Sequence, residues 1–278
     1  MKTILVPTQN IPTMRSTLET AVLLAQRTGA YIEGIPLWFG APEFVVAELA
    51  SGFSMEVYRA RREEETESAR KLFEIFMQEQ DIPAKAAGDR PWSNWVDAVS
   101  PGESLVGSHG RTFDVTVMSR PDDDTVASYS RAIESALFES GRPVLIAPPS
   151  SPRSLATNVL IAWNQSTEQA RTMADAMPFL RTAERITILT VEGATVAGPN
   201  GEQMARSLAM NGIKAETMTL KPVGKRSAGE TILAKADELG CDLIIKGAYT
   251  QSRLRQMIFG GTTRHILANA KLPVLMAH

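Results

Sequence analysis

The chain of 278 residues contains one cysteine, Cys241, so no disulfide can form within it. Histidine is almost as scarce. His109, His265 and His278 stand far apart, with no cysteine or carboxylate at metal-ligand spacing, and a zinc site has no support. Neither charge sign dominates: 29 basic and 31 acidic residues give a formal net charge of -2. The sequence-independent pull of a basic domain on nucleic acid is therefore missing. No apolar run approaches the ~20 residues that cross a bilayer. The opening Met1-Lys2-Thr3-Ile4-Leu5-Val6-Pro7 enters a strand without the apolar core and cleavage site of a signal peptide. These absences lead to the expectation of a cytoplasmic protein with no nucleic-acid or membrane partner. Two catalytic signatures are also missing. "VGKRSAG" has a Gly-Lys pair but lacks the first glycine of a phosphate-binding loop at the required distance. No G-x-S-x-G elbow supports Ser/His/Asp hydrolysis.

What is present is a repeat. "KTILVPTQN" near residue 2 matches "TNVLIAWNQS" near 157, "FDVTVMSRP" at 113 matches "CDLIIKGAY" at 241, and "GRPVLIAP" at 141 matches "KLPVLMAH" at 271. The order is the same in both halves, and each half closes on Pro-Val-Leu. The length suits two domains and the 44% apolar fraction suffices for their cores. The Pro/Ser stretch "PPSSPRSLAT" (148–157) reads as a linker, so the domains are expected at 1–149 and 156–278.

Within each half, apolar strands alternate with helices, the pattern of a parallel sheet covered on both faces. In the second half, Val159-Leu160-Ile161-Ala162-Trp163 is a strand, Ser166 with Gln169 fits a capping box, and Ala170, Met173, Ala174 and Met177 mark one helix face. A strand at 185–191, a helix near 202–211, a strand at 214–220, a helix near 228–239, a strand from Cys241, a helix from about 262 and a strand at 273–277 follow. The first half repeats the plan, with Leu18, Ala21, Val22 and Ala25 on its first helix. Ala69, Leu72, Phe73, Phe76 and Met77 lie on a long second helix, after the charged run "RREEETE", which reads as a solvated face. Trp38, Phe39, Phe44 and Phe53 cover either a pocket or a domain interface. Trp92 and Trp95 pack a core or stack a ligand, and His109 reads as a loop histidine before a strand.

The stretch "KGAYTQSRLRQMIFGGTTRHIL" (246–267) ends a strand at Gly247, carries Arg253 and Arg255, and reaches Gly260, Gly261, Thr262 and Thr263 before a helix. Two readings fit it: a loop wrapped around a phosphate, or a strand end, a surface loop and a turn. With the repeat, this stretch resembles the universal stress protein family in its tandem two-domain form. Nucleotide-binding members carry Gly, two residues, Gly, nine residues, Gly, then Ser or Thr. Gly247 and Gly260 occupy the first and last glycine positions. Thr250 replaces the middle glycine, and Gly261 stands where the hydroxyl residue belongs, with Thr262 one place later.

The resemblance implies an α/β fold of two tandem doubly wound five-stranded parallel sheets, strand order 3-2-1-4-5, with helices on both faces. It implies a nucleotide site made by Ala162, Asn164, Val191, Gly247, Thr250, Arg253, Gly260, Gly261 and Thr262. The ligand would be ATP, with or without Mg²⁺, or a related adenine nucleotide, and the role that of a stress-response sensor or adaptor. A non-nucleotide interaction or small-ligand module is the alternative. No catalytic residue is assigned, because slow ATP hydrolysis would need a base and Asn164 is a poor one. In the first half, Thr8 and Gln9 stand in place of the family's acidic residue, and Asp122, Asp123 and Asp124 replace the glycines and arginines. That crevice is read as a degenerate site, with metal-assisted binding as its alternative. The closing edge strands are expected to cover each other, within the chain as a pseudo-dimer or between two chains.

Overall fold

Apolar strands that bury both faces need helices above and below, and the chain supplies them in alternation. The computed structural model describes residues 1–38, 54–86, 88–97, 104–120, 126–248 and 261–278. The first run is β1 (Thr3–Thr8), α1 (Met14–Thr28), β2 (Tyr31–Pro36), α2 (Ser54–Glu79), β3 (Trp92–Trp95), α3 (Ser104–Gly110), β4 (Val115–Ser119), α4 (Val126–Glu139) and β5 (Val144–Ala147). The second is β6 (Asn158–Ala162), α5 (Thr167–Leu180), β7 (Arg185–Val191), α6 (Gly201–Met210), β8 (Glu216–Leu220), α7 (Ala228–Glu238), β9 (Leu243–Gly247), α8 (Gly261–Asn269) and β10 (Val274–Ala277).

The strands lie in the order β3-β2-β1-β4-β5-β10-β9-β6-β7-β8. Each run of strands follows 3-2-1-4-5 by its own count, but the expected two sheets are one. β5 and β10 pair antiparallel, Leu145 opposite Leu275, and join two parallel halves into a ten-stranded mixed sheet. The cause is local. Val144, Leu145, Leu275 and Met276 are apolar on both faces, and an open edge would leave their backbone groups unpaired. Arg120 reinforces the junction by donating from Nη1 to the carbonyl of Ala270 at 2.8 Å.

Alternate residues of the strands feed two cores. Ile4, Val6, Val117, Leu145, Val159, Ile161, Ile245 and Leu275 face α1, α2, α5 and α6. Met118, Val144, Ile146, Leu160, Ala162, Leu189, Ile244 and Met276 face α4, α7 and α8. Both cores run across the β5–β10 seam.

One device recurs in both halves. The Asp114 carboxylate accepts the N–H groups of Lys2 and Thr3, and Asp242 accepts those of Thr157 and Asn158, so each fixes the start of the first strand beside the fourth. Burial pushes the Asp114 carboxyl up, but the N–H donors from Lys2 and Thr3 outweigh it and hold the carboxyl below its ordinary value.

Several local expectations hold. α1 buries Leu18, Ala21, Val22 and Ala25, and α2 buries Ala69, Phe73, Phe76 and Met77 with Leu72 partly covered, while Arg61, Glu63, Glu64, Glu65 and Glu67 of "RREEETE" face out and Arg62 lies over the Trp38 ring. Trp92 stacks on Tyr31 with centroids 4.1 Å apart and Trp95 packs on Phe73, so both have partners in the fold. Trp38 donates its indole N–H to Thr66 of α2; Phe39, Phe44 and Phe53 lie outside the described residues. Other expectations do not hold. Cys241 precedes β9 and is half-buried, with burial pushing its thiol up to about 11. The inward face of α5 is Gln169, Thr172, Met173, Ala176, Phe179 and Leu180, whereas Ala170 and Ala174 are exposed. The apolar pattern misled because two polar side chains are drawn inward by the sheet's backbone. Among the described residues, no helix is long and apolar enough to cross a membrane.

Candidate functional site

In an open sheet of order 3-2-1-4-5, neighbouring strands 1 and 4 send their chains to opposite faces, and a crevice opens beyond their carboxyl ends. In the second half that crevice lies past β6 and β9. Its first wall is set by α5. Ser166 caps the helix by accepting from the N–H of Gln169, but the reciprocal half of the expected capping box is not made. The Gln169 side chain instead turns to β9, where its Oε1 accepts the N–H of Gly247 and its Nε2 donates to the carbonyl of Ile245 at 3.5 Å.

This contact explains Gly247. A Cβ there would meet the Gln169 backbone N at 2.6 Å and its Cα at 2.9 Å. The glycine admits the first turn of α5 and lies beneath the cleft rather than on its wall.

The cleft encloses about 140 Å³ and is lined by Ala162, Trp163, Asn164, Leu189, Val191, Ala194, Ile232, Lys246, Gly261, Thr262 and Thr263. Leu189, Val191 and Ile232 give it apolar walls, and Asn164 and the start of α8 give it a polar rim. Gln165 sits at φ 70°, and the loops around it are tied down: Val196 donates its N–H to the Asn164 carbonyl, and Trp163 Nε1 donates to the carbonyl of Pro199 at 2.8 Å. On the far side, a Cβ on Gly229 of α7 would come within 2.9 Å of the Cβ of His265, so that glycine lets α7 and α8 approach closely. The first N–H groups of α8 have no partner within the helix and carry its positive end toward the rim.

Lys246 is the one charged side chain among the described residues that line this cleft. It is 6% exposed, and its Nζ donates to the Gly247 carbonyl and to Thr263 Oγ1, each at 2.7 Å. Burial pushes its ammonium down to about 8.

Five of the nine residues expected from the sequence line the cleft: Ala162, Asn164, Val191, Gly261 and Thr262. Thr250, Arg253 and Gly260 lie outside the described residues, as do Arg255 and Asp122, Asp123 and Asp124. Thr190, the neighbour of Val191, turns the other way, to within 3.4 Å of where a Gly201 Cβ would stand. Leu189, Ala194, Ile232 and Thr263 were not singled out as site residues from the sequence, because each reads as an ordinary apolar or helix-start position. Lys246, a charge inside the otherwise apolar strand Leu243–Gly247, is offered by the sequence together with Arg253, Arg255 and Arg264 as positive charge for a phosphate.

At the corresponding end of β4 in the first half, the Ser119 N–H donates to the Tyr129 hydroxyl at 3.3 Å, and the buried Tyr129 ring fills space there. His109 is not in a loop. It lies in the last turn of α3, with Nε2 2.6 Å from Glu33 Oε1, and Tyr31 donates its hydroxyl to the same carboxylate. Burial pushes Glu33 up, but His109 and Tyr31 outweigh it and hold the carboxyl below its usual range. The cluster ties α3 to β2. Among the described residues, no group of three or more acidic, histidine or cysteine side chains is placed to hold a metal ion.

The universal stress protein family model matches residues 162–278. A search of curated proteins gives no match. Among solved structures, a universal stress protein from Archaeoglobus fulgidus is 17% identical, with a TM-score of 0.70 over 99% of this chain and 97% of that one. A functionally unknown protein from Pseudomonas aeruginosa is 13% identical, with a TM-score of 0.55 over 100% and 92%. The cytoplasmic domain of a prokaryotic cation chloride cotransporter is 14% identical, with a TM-score of 0.50 over 99% and 94%. At these identities the structural likenesses establish the fold, and the family match establishes more: the C-terminal part of the chain, residues 162–278, belongs to the universal stress protein family.

Proposed function

We propose that the second half binds ATP, with or without Mg²⁺, or a related adenine nucleotide, and that the protein acts as a stress-response sensor or adaptor, with slow ATP hydrolysis as the most that catalysis could add. The observation that carries this reading is the convergence of Asn164, Val191, Gly261 and Thr262 on one cleft at the carboxyl ends of β6, β7 and β9. A base would lie against Leu189, Val191 and Ile232. The phosphates would extend over the start of α8, toward the stretch that carries Thr250, Arg253 and Gly260. In this reading residues 1–149 and 156–278 are two copies of one domain, the first with a degenerate site, and a homodimer of the tandem chain is the further assembly to test.

At about 140 Å³ the cleft is smaller than the ~300–1,000 Å³ of drug-sized sites. That favours, as the second reading, a smaller ligand or an interaction module. Denaturing the purified protein and assaying the released fraction for absorbance near 260 nm separates the two. Calorimetry should then give about one nucleotide per chain. Absence of any retained or titratable adenine nucleotide would sink the first reading, and two sites per chain would sink the degenerate first half.

A further inference from the structure

The two halves meet about the Leu145–Leu275 pair, which makes positions correspond across the seam. Ile146 and Met276 are counterparts, and their neighbours on the fourth strand of each half are Met118 and Lys246. Likewise Thr263 stands ten residues before Pro273, and Ile133 stands ten residues before Pro143. Met118 and Ile133 are both fully buried members of one apolar core. The first half therefore fills with Met and Ile the place that the second half fills with Lys246 and Thr263. The fold does not need a cation there.

A buried lysine is an expensive substitute for methionine unless something offsets it. The described surroundings offer no carboxylate. Glu168 of α5, Glu230 of α7, and Arg264 and His265 of α8 are the charged residues at the near ends of the flanking helices; none of them lines the cleft beside Lys246, whose ammonium burial pushes down. Geometry leaves a vacancy in its coordination by the described residues. An ammonium has three N–H donors; among the described residues two are used, by the Gly247 carbonyl and Thr263 Oγ1. Those two acceptors hold the nitrogen at the cleft wall with one direction remaining.

We propose that Lys246, held in place by Thr263, is an anion subsite on the wall of the cleft that takes a negatively charged phosphoryl oxygen of the ligand. The inference rests on the reading of this cleft as the ligand site, and it makes ligand charge, rather than the base alone, a determinant of selectivity. Binding of the anion stabilises the ammonium, so affinity falls once the free amine loses its proton.

The test compares AMP with adenosine by calorimetry on the full chain, for wild type, Lys246→Met and the double variant Lys246→Met/Thr263→Ile, which installs the pair of the first half. Wild type should prefer AMP by about tenfold or more, and both variants should bring the two ligands to within about threefold. With the free amine titrating near 8, wild-type affinity for AMP should drop about tenfold between pH 7 and pH 9, while the variants stay flat. AMP binding that is unchanged in the variants at both pH values overturns the subsite and leaves the nucleotide reading intact. If neither AMP nor adenosine binds wild type, the nucleotide reading falls. The subsite is then decided by the NMR titration of lysine-labelled protein with inorganic pyrophosphate: an upward-moved Lys246 midpoint sustains it, and an unmoved one overturns it.

Discussion

Replacing Lys246 by methionine should make the protein more stable at neutral pH, and the size of the gain follows from where the amine sits. Its value of about 8 lies below the 10.5 of an unburied lysine. The unfolded chain therefore holds one more proton than the folded chain between those two values. Unfolding takes up that proton, so this group makes stability rise with pH across the window. At 1.36 kcal/mol per pH unit the full difference is about 3 kcal/mol, all of it a penalty below pH 8. Lys246→Met removes the penalty and restores the residue that the first half uses at Met118. Against this, the Gly247 carbonyl and Thr263 Oγ1 lose a donor, at a cost of about 1–2 kcal/mol. The net gain at pH 7 should be about 1–2 kcal/mol, shrinking to nothing or reversing by pH 10.5. Urea unfolding of wild type and variant at pH 7 and near pH 10.5 measures both numbers, and the comparison cancels every other titrating group. A variant that is less stable by the same amount at both values would refute the reasoning, because the amine would then be making a structural contribution independent of its charge.

Gly247→Ala should destabilise by about 1–3 kcal/mol, because the new methyl would lie 2.6 Å from the Gln169 backbone nitrogen; a urea midpoint equal to wild type would contradict the close-approach reading. Leu275→Asp places a carboxylate in the seam opposite Leu145, should cost about 3–5 kcal/mol, and should produce aggregation or a changed sedimentation coefficient; sedimentation like that of wild type counts against a buried seam. Asp114→Asn should lose about 1–2 kcal/mol at pH 7. Because the folded carboxyl lies below its ordinary 3.8, that contribution is complete above this value and is lost as pH falls below it. The gap between Asn and Asp proteins should narrow in unfolding measurements at pH 3, and a constant gap would rule out the N–H contacts as its source.

The sequence by itself determined the elements and their order. Runs such as Val159-Leu160-Ile161-Ala162 bury both faces and can only be covered strands. The strand Arg185–Val191 has the bounds read from the sequence, and the Pro-Val-Leu endings announced edges in need of a partner, which they find in each other. Such features depend on local composition and period, which a single chain displays. That Asn164, Val191, Gly261 and Thr262 would line one cleft was legible because the crevice rule fixes where strand ends and helix starts converge.

Tertiary structure decided whatever depends on residues distant in sequence. Two five-stranded sheets and one ten-stranded sheet have the same strand sequences. Only the antiparallel meeting of Val144–Ala147 with Val274–Ala277, 130 residues apart at Leu145 and Leu275, distinguishes them. Gln169 looked like half of a capping box, but its amide satisfies β9 instead, an exchange that no local pattern reports. His109 looked like an isolated histidine because its carboxylate partner, Glu33, is 76 positions away. Lys246 was visible as a charge in an apolar strand. That this charge is buried on a cleft wall, bonded to Thr263 and matched by a methionine in the other half, is a consequence of packing. A side chain's solvation, unlike its strand period, is set by neighbours that the chain supplies only once it has folded.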